Sequence, residues 1–157
     1  MIDPVVRRAR GDDAGALAEL EAEARTALVD ARGGARWLEE HPAVGSGWAT
    51  AVETGAVFVA VLSESGGGGA EGVELLVGYL VLILDGNVAR IDQVFVAPGA
   101  RELGFGDTLV EVATDAARAA GARVIEGQAL PGDRETKNLY ERAGITARLI
   151  TVSRRLD

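Results

Sequence analysis

Apolar positions along the chain change period several times, and each change marks an element. Residues 5–10 read as a short strand. Leu17, Leu20, Ala24 and Leu28 then fall at i, i+3, i+7 and i+11, the stripe of an amphipathic helix. Asp12 or Asp13 stands where its N-cap belongs. Gly33-Gly34 interrupts this pattern. A second helical piece over residues 35–40 stops before Pro42, because the residue preceding a proline avoids helical backbone. Residues 57–62 are β-branched and apolar, a strand. Residues 74–84 and 88–96 are two more, joined at Asp85-Gly86 as a hairpin. An antiparallel meander is therefore predicted. The stretch SESGGGGAEG, residues 63–72, has few side chains to fix it and reads as a flexible hairpin loop. It is not a phosphate loop, since it lacks the Lys-Ser/Thr ending and opens no helix.

Beyond Pro98-Gly99 the period becomes helical, with Phe105, Leu109, Val112, Ala116 and Ala120 on one face. Asp107 and Glu111 near its start and Arg118 near its end match the helix dipole, and Gly121 suits the residue just past the end. Residues 124–130 form a strand, 133–143 a helix followed by Gly144, and 147–154 a last strand. The order is strand, two helices, three strands, then helix, strand, helix, strand. This predicts a single α/β domain over residues 1–157: a mixed central sheet with helices on both faces.

Composition narrows the chemistry. The chain has 157 residues, a net charge of −8 and no cysteine. Thiolate metal sites, disulfides and a cysteine nucleophile are excluded, and a single histidine, His41, rules out a histidine-rich metal site; no metal is expected. The acidic balance argues against a nucleic-acid partner and suits a cationic substrate. The longest apolar run, residues 75–84, is about half a membrane span and contains Gly78 and Tyr79. The N-terminus lacks a signal peptide's apolar core. No membrane partner and a cytoplasmic location are therefore expected.

The stretch VFVAPGARELGFGDTLVEVATDAARAAG, residues 94–121, is a strand, a loop with glycines and a helix. A helix N-terminus with unpaired N–H groups suits an anion, and glycines let a phosphate approach the backbone. A P-loop would need Lys where Phe105 stands. A dinucleotide fingerprint would need a third glycine where Leu109 stands. These two failures weigh against a nucleotide-binding α/β domain.

What remains, V-x-V-x-P-x-x-R-x-x-G-x-G before an amphipathic helix, resembles the acyl-CoA motif of the GNAT superfamily of N-acyltransferases. The order of elements also resembles that fold, which implies six to seven strands. The resemblance implies acetyl-CoA as cosubstrate, held by the backbone of Val94, Phe95 and Val96 along the pantetheine. The pyrophosphate would lie on the amides of Arg101, Glu102, Leu103, Gly104, Phe105 and Gly106, with Asp107 and Thr108. Arg101 could also reach a phosphate. Glu102 stands where the family often has Gly. Residues 133–145, D-R-E-T-K-N-L-Y-E-R-A-G-I, resemble a second GNAT segment. It implies pantetheine contact from Asp133, which is equally an N-cap, and from Thr136. It also places Lys137 near a CoA phosphate and Tyr140 as the general acid beside the thiol. Asn138 points away on the helical wheel.

Direct attack of an amine on the thioester in a ternary complex then follows, with Asp92 as candidate base. Strand alternation places Asp92 on the face of Val94; an exposed carboxylate or an ion pair with Arg90 is the competing reading. The acceptor pocket is expected from residues 25–55 and the strand around Asp92. Trp37, His41, Trp48 and Glu53 are its distinctive side chains. Both tryptophans also read as core or loop anchors, and His41 as a surface histidine. The acceptor is an amine, in a small molecule or a peptide, and self-association into a homodimer is left open. A GNAT-like domain that binds CoA without catalysis is the alternative function.

Overall fold

The computed structural model describes residues 4–63 and 72–157. Five strands form one mixed sheet in the order β1 (Val5–Arg8), β2 (Ala56–Ser63), β3 (Glu74–Asp85), β4 (Val88–Val96) and β5 (Val124–Gly127). The first four pair antiparallel, and β4 pairs β5 in parallel. The long connection from β4 to β5 contains α4 (Phe105–Ala119), as a parallel pair requires a crossover. The glycine-rich stretch expected as a hairpin loop lies almost wholly outside the described residues. The strands flanking it do pair, Ser63 opposite Glu74.

Both faces of the sheet are covered. β2 shows why: Val57, Val59 and Val61 point to one side and Phe58 and Ala60 to the other, and all are buried. Phe58 joins Leu80, Ile91, Phe105, Leu109, Leu139 and Tyr140 in a core beneath α4 and α5 (Arg134–Arg142). The three valines pack with Leu17, Leu20, Trp48 and Tyr79 beneath α1 (Ala14–Leu28) and α3 (Trp48–Thr54). Between them in sequence lies α2 (Gly34–Glu40), which starts after Gly33 in left-handed backbone.

Two expectations differ from what is observed, besides the unpredicted α3. That helix carries Trp48, Ala51 and Val52 at helical spacing, and Trp48 is 1% exposed. Residues 147–154 form no strand: residues 146–157 join no sheet, and Leu149, Ile150 and Val152 lie exposed. Strand propensity expresses fit to a pleated, half-buried surface, and this segment meets none. The sheet accordingly has five strands among the described residues, not six to seven.

A buried carboxylate fixes the α1 side. Glu21, 2% exposed, accepts from the backbone N–H of Val44 (3.0 Å) and Gly45 (2.9 Å) and from Trp48 Nε1 (3.2 Å). Gln93 Nε2 adds a fourth donor at 3.3 Å, and the Tyr79 hydroxyl donates to Gln93 Oε1 at 2.8 Å. A buried charge persists when its lone pairs are met in this way. The network ties the segment after α2 to the middle of β4.

Candidate active site: a split sheet between two half-sites

The central feature is where β4 and β5 part. Their pairing runs from Val88 opposite Val124 to Ile91 opposite Gly127 and then ends. From Asp92 to Val96 the outer edge of β4 has no strand partner among the described residues. Its outward N–H and C=O groups, the Val96 carbonyl excepted, therefore remain available to an extended ligand that adds itself as a strand.

At the far end of this edge the chain turns sharply into α4. Glu102 (φ 66°) and Gly104 (φ 87°) both adopt left-handed backbone, a turn of the kind that brings successive amides to one side as an anion-binding nest. The backbone N–H groups of residues 102–107 find no acceptor among the described residues. That of Arg101 donates to Pro98 and that of Thr108 to Gly104. The free amides are thus those of Glu102, Leu103, Gly104, Phe105, Gly106 and Asp107, at the positive end of a fifteen-residue helix. This donor set fits a pyrophosphate.

The two glycines serve different ends. Gly104 is needed for its left-handed φ. A Cβ on Gly106 would meet Leu139 at 3.3 Å and Val96 at 3.7 Å, so its absence lets α4 seat against β4 and α5. Glu102 alone among described non-glycine residues has positive φ. That explains why a glycine would sit there comfortably. The Asp107 carboxylate, a concern beside phosphates, is engaged by Arg142 Nε at 3.0 Å.

Several side chains point elsewhere than the sequence suggests. Arg101 Nε donates to the Val96 carbonyl (3.0 Å) and pairs with Glu135 (2.9 Å), bridging β4 and α5 instead of facing the free amides. The Thr108 hydroxyl donates to Gly104 O at 3.0 Å. Asp133 caps α5, accepting from Thr136 N (3.1 Å) and the Thr136 hydroxyl (2.6 Å). Lys137 is exposed and in no ion pair among the described residues. Asn138 is exposed as well. Phe95 packs toward Tyr79 on the α1 side, while Val94 and Val96 pack toward α4.

Tyr140 lies at the fork itself. Its ring stands over Gly127, the last residue of β5: a Cβ there would come within 2.7 Å of the hydroxyl oxygen. Gly127, which no sequence motif singles out, makes room for this phenol. The hydroxyl has no hydrogen-bond partner among the described residues, yet it is not sealed from solvent. Burial, with a smaller effect of Asp133, pushes its pKa well above the ordinary phenol range.

On the other side of the fork is a cavity of about 280 Å³, lined by Trp37, His41, Arg90, Ile91, Asp92 and Gln128. Asp92 reaches it by a β-bulge. Val81 opposes Gln93 and Leu82 opposes Ile91, so Asp92 is the extra residue. The bulge resets the alternation. Ile91 and Val94 both pack toward α4, so parity does not place Asp92 with Val94. No Arg90–Asp92 ion pair forms within 4 Å. Trp37 and His41 stack with ring centroids 4.4 Å apart at 11°, and His41 Nδ1 lies 2.8 Å from Trp37 O. A carbonyl only accepts, so Nδ1 donates to it, and Nε2 has no partner among the described residues. Arg25 donates to His41 O (2.7 Å) and Leu38 O (3.3 Å), holding the end of α2 over the cavity. His41 is therefore a cavity residue and not merely a surface one. Trp48 is core, and Glu53 is exposed on α3.

The chain is thus an α/β protein with a split mixed sheet, a helix terminus suited to an anion on one side of the split and a cavity on the other, and sequence comparison identifies its family. The Acetyltransferase (GNAT) family matches residues 16–145, and the chain belongs to that family. A mutant of the BH1408 protein from Bacillus halodurans superposes with a TM-score of 0.72 at 18% identity, covering 97% of this chain and 99% of that one. The aminoglycoside N-acetyltransferase AAC(6')-Iy in complex with CoA is similar at TM-score 0.63 and 14% identity, over 99% and 97% of the two chains. Glucosamine-6-phosphate N-acetyltransferase from Arabidopsis thaliana is similar at 0.62 and 17%, over 99% of both. At these identities the likeness shows a shared fold. No curated protein sequence matches. Among the described residues no helix is long and apolar enough to cross a membrane, and no cluster of metal-ligating side chains occurs.

Proposed function

We propose that the chain is an acetyl-CoA-dependent N-acyltransferase that joins its two half-sites through the β4–β5 fork. The observation that carries this reading is the Tyr140 hydroxyl above Gly127 at the fork. One side of the fork leads along a free strand edge to the unpaired amides of residues 102–107. The other opens on Asp92. The free amides receive the pyrophosphate. Val94, Phe95 and Val96 offer their backbone to the pantetheine once Arg101 releases the Val96 carbonyl. Acetyl-CoA supplies an already activated thioester, so no covalent enzyme intermediate is required.

Asp92 takes the proton of the incoming amine. An alkylammonium of pKa ~10.4 must lose a proton before attack, which at pH 7 costs about 4–5 kcal/mol. A carboxylate in contact with the ammonium accepts this first proton and passes it to solvent, which frees the nitrogen lone pair for attack; the second N–H proton leaves to solvent after the C–N bond has formed. Tyr140 serves the departing sulfur as the C–S bond breaks. Handing its proton outright to a thiolate would run uphill, because a thiol's ordinary pKa is ~8.5 and burial holds the phenol far above that. Its role is therefore a hydrogen bond that strengthens as charge develops on sulfur, with solvent completing the protonation.

The test is free-thiol release from acetyl-CoA by the purified chain over a panel of amines. Amine-dependent thiol release with acylated product by mass spectrometry is expected. Acetyl-CoA binding with no amine-dependent release would instead identify a CoA-binding module without catalysis.

A further inference from the structure

We propose that the acceptor amine carries an anionic group, a carboxylate or a phosphate, close to the nitrogen that is acetylated, and that Arg90 selects it. This rests on the transferase reading above and adds the substrate class. Arg90 and Asp92 lie two residues apart on β4, and both line the 280 Å³ cavity. Neither forms an ion pair among the described residues. Glu126 is the cross-strand neighbour of Arg90, yet no pair within 4 Å forms. The cavity thus presents one uncommitted cation and one uncommitted anion to the same ligand.

Other groups around it point the same way. His41 adds a polar ring to the site, locked by the Trp37 stack and carbonyl. Arg25, just behind His41, adds positive charge to this end of the site. A polycation would meet Asp92, with Glu126 beside Arg90, but would also face the charges of Arg90 and Arg25. The net charge of −8 draws amines toward the protein, and the cavity then favours those that also carry an anion. The shared chemistry has two sources: an amino acid brings a carboxylate, and an amino sugar phosphate brings a phosphate.

The experiment measures kcat/KM by thiol release for matched pairs: free α-amino acids against their amides, and hexosamine phosphates against plain hexosamines, with spermidine as the polycation. The anionic member of one pair is expected to exceed its neutral partner about 10- to 100-fold, the value of one charge-assisted contact; which pair shows it tells carboxylate from phosphate. Arg90→Gln should erase that ratio with acetyl-CoA affinity and melting temperature unchanged, and Arg90→Lys should keep part of it. Equal rates within both pairs, preference for spermidine, or a ratio that survives Arg90→Gln would overturn the proposal. If no amine releases thiol although acetyl-CoA binds, the transferase reading fails, and calorimetry of the same pairs on the CoA-loaded chain decides this one. Selective binding of the anionic member that Arg90→Gln abolishes supports it; no selectivity overturns it.

Discussion

The cofactor side and the acceptor side of the fork are built from different materials. The cofactor side is backbone: a free strand edge, two left-handed residues and the open amides of residues 102–107. The acceptor side is side chains, brought from α2, from a bulge in β4 and from the residue just past β5. A backbone site depends on where glycines and helix starts fall, so it constrains a short stretch of sequence. A side-chain pocket can be rebuilt by single substitutions without disturbing the sheet. Cosubstrate binding and substrate choice should therefore respond to different mutations.

The sharpest way to break this contrast is Asp92→Asn. It should lower kcat/KM by about 10²- to 10⁴-fold, most severely at low pH where little free amine exists, while acetyl-CoA affinity stays constant. A pH–rate profile with the parent's shape and height would remove Asp92 from the chemistry. Tyr140→Phe comes next, with kcat reduced about 10- to 100-fold. Because its pKa is pushed far up by burial, the hydroxyl stays protonated across the assay range. The variant's pH profile between 6 and 10 should keep its shape, and loss of a basic limb would contradict that. Gly127→Ala should mimic this loss by displacing the ring, since the new Cβ would meet the hydroxyl oxygen at 2.7 Å; crystallography or thiol release checks it.

The smallest expected effect sharpens the cofactor side. Glu102→Gly releases the left-handed strain of a non-glycine residue, about 1–2 kcal/mol. It costs about 0.5–1 kcal/mol in unfolded-chain entropy. The net gain of roughly 0.5–1 kcal/mol should raise the melting temperature by about 1–4 °C, and removing a carboxylate should tighten acetyl-CoA. A lower melting temperature would show that Glu102 has a stabilising contact in solution.

The same division decides what was legible in the sequence. The strand–loop–helix of residues 94–121 is local, so its periodicity and glycines were readable, and with them the free amides of residues 102–106; that the Arg101 amide donates to Pro98 was not. Gly106 was legible as a glycine but not for its reason, which is Leu139 from α5. The Asp92 bulge escaped because it depends on how β3 and β4 register, and alternation counted along one strand carries no trace of it. His41 looked like a surface residue, since its partner Trp37 is legible but the cavity below both requires Arg90 and Gln128, far along the chain. Residues 147–154 had strand composition without a partner, which only the assembled sheet reveals.

The central claim is that the free amides and the open β4 edge bind acetyl-CoA. Thermal unfolding of the purified chain with increasing acetyl-CoA tests it most directly. At 100 times Kd the stabilisation is about 2.7 kcal/mol, which raises the melting temperature by roughly 5–10 °C for a chain of this size. Gly104→Val, which cannot easily adopt the required φ of 87°, should lose that rise relative to its own ligand-free baseline. An unchanged melting temperature of the parent chain at millimolar acetyl-CoA would contradict the account.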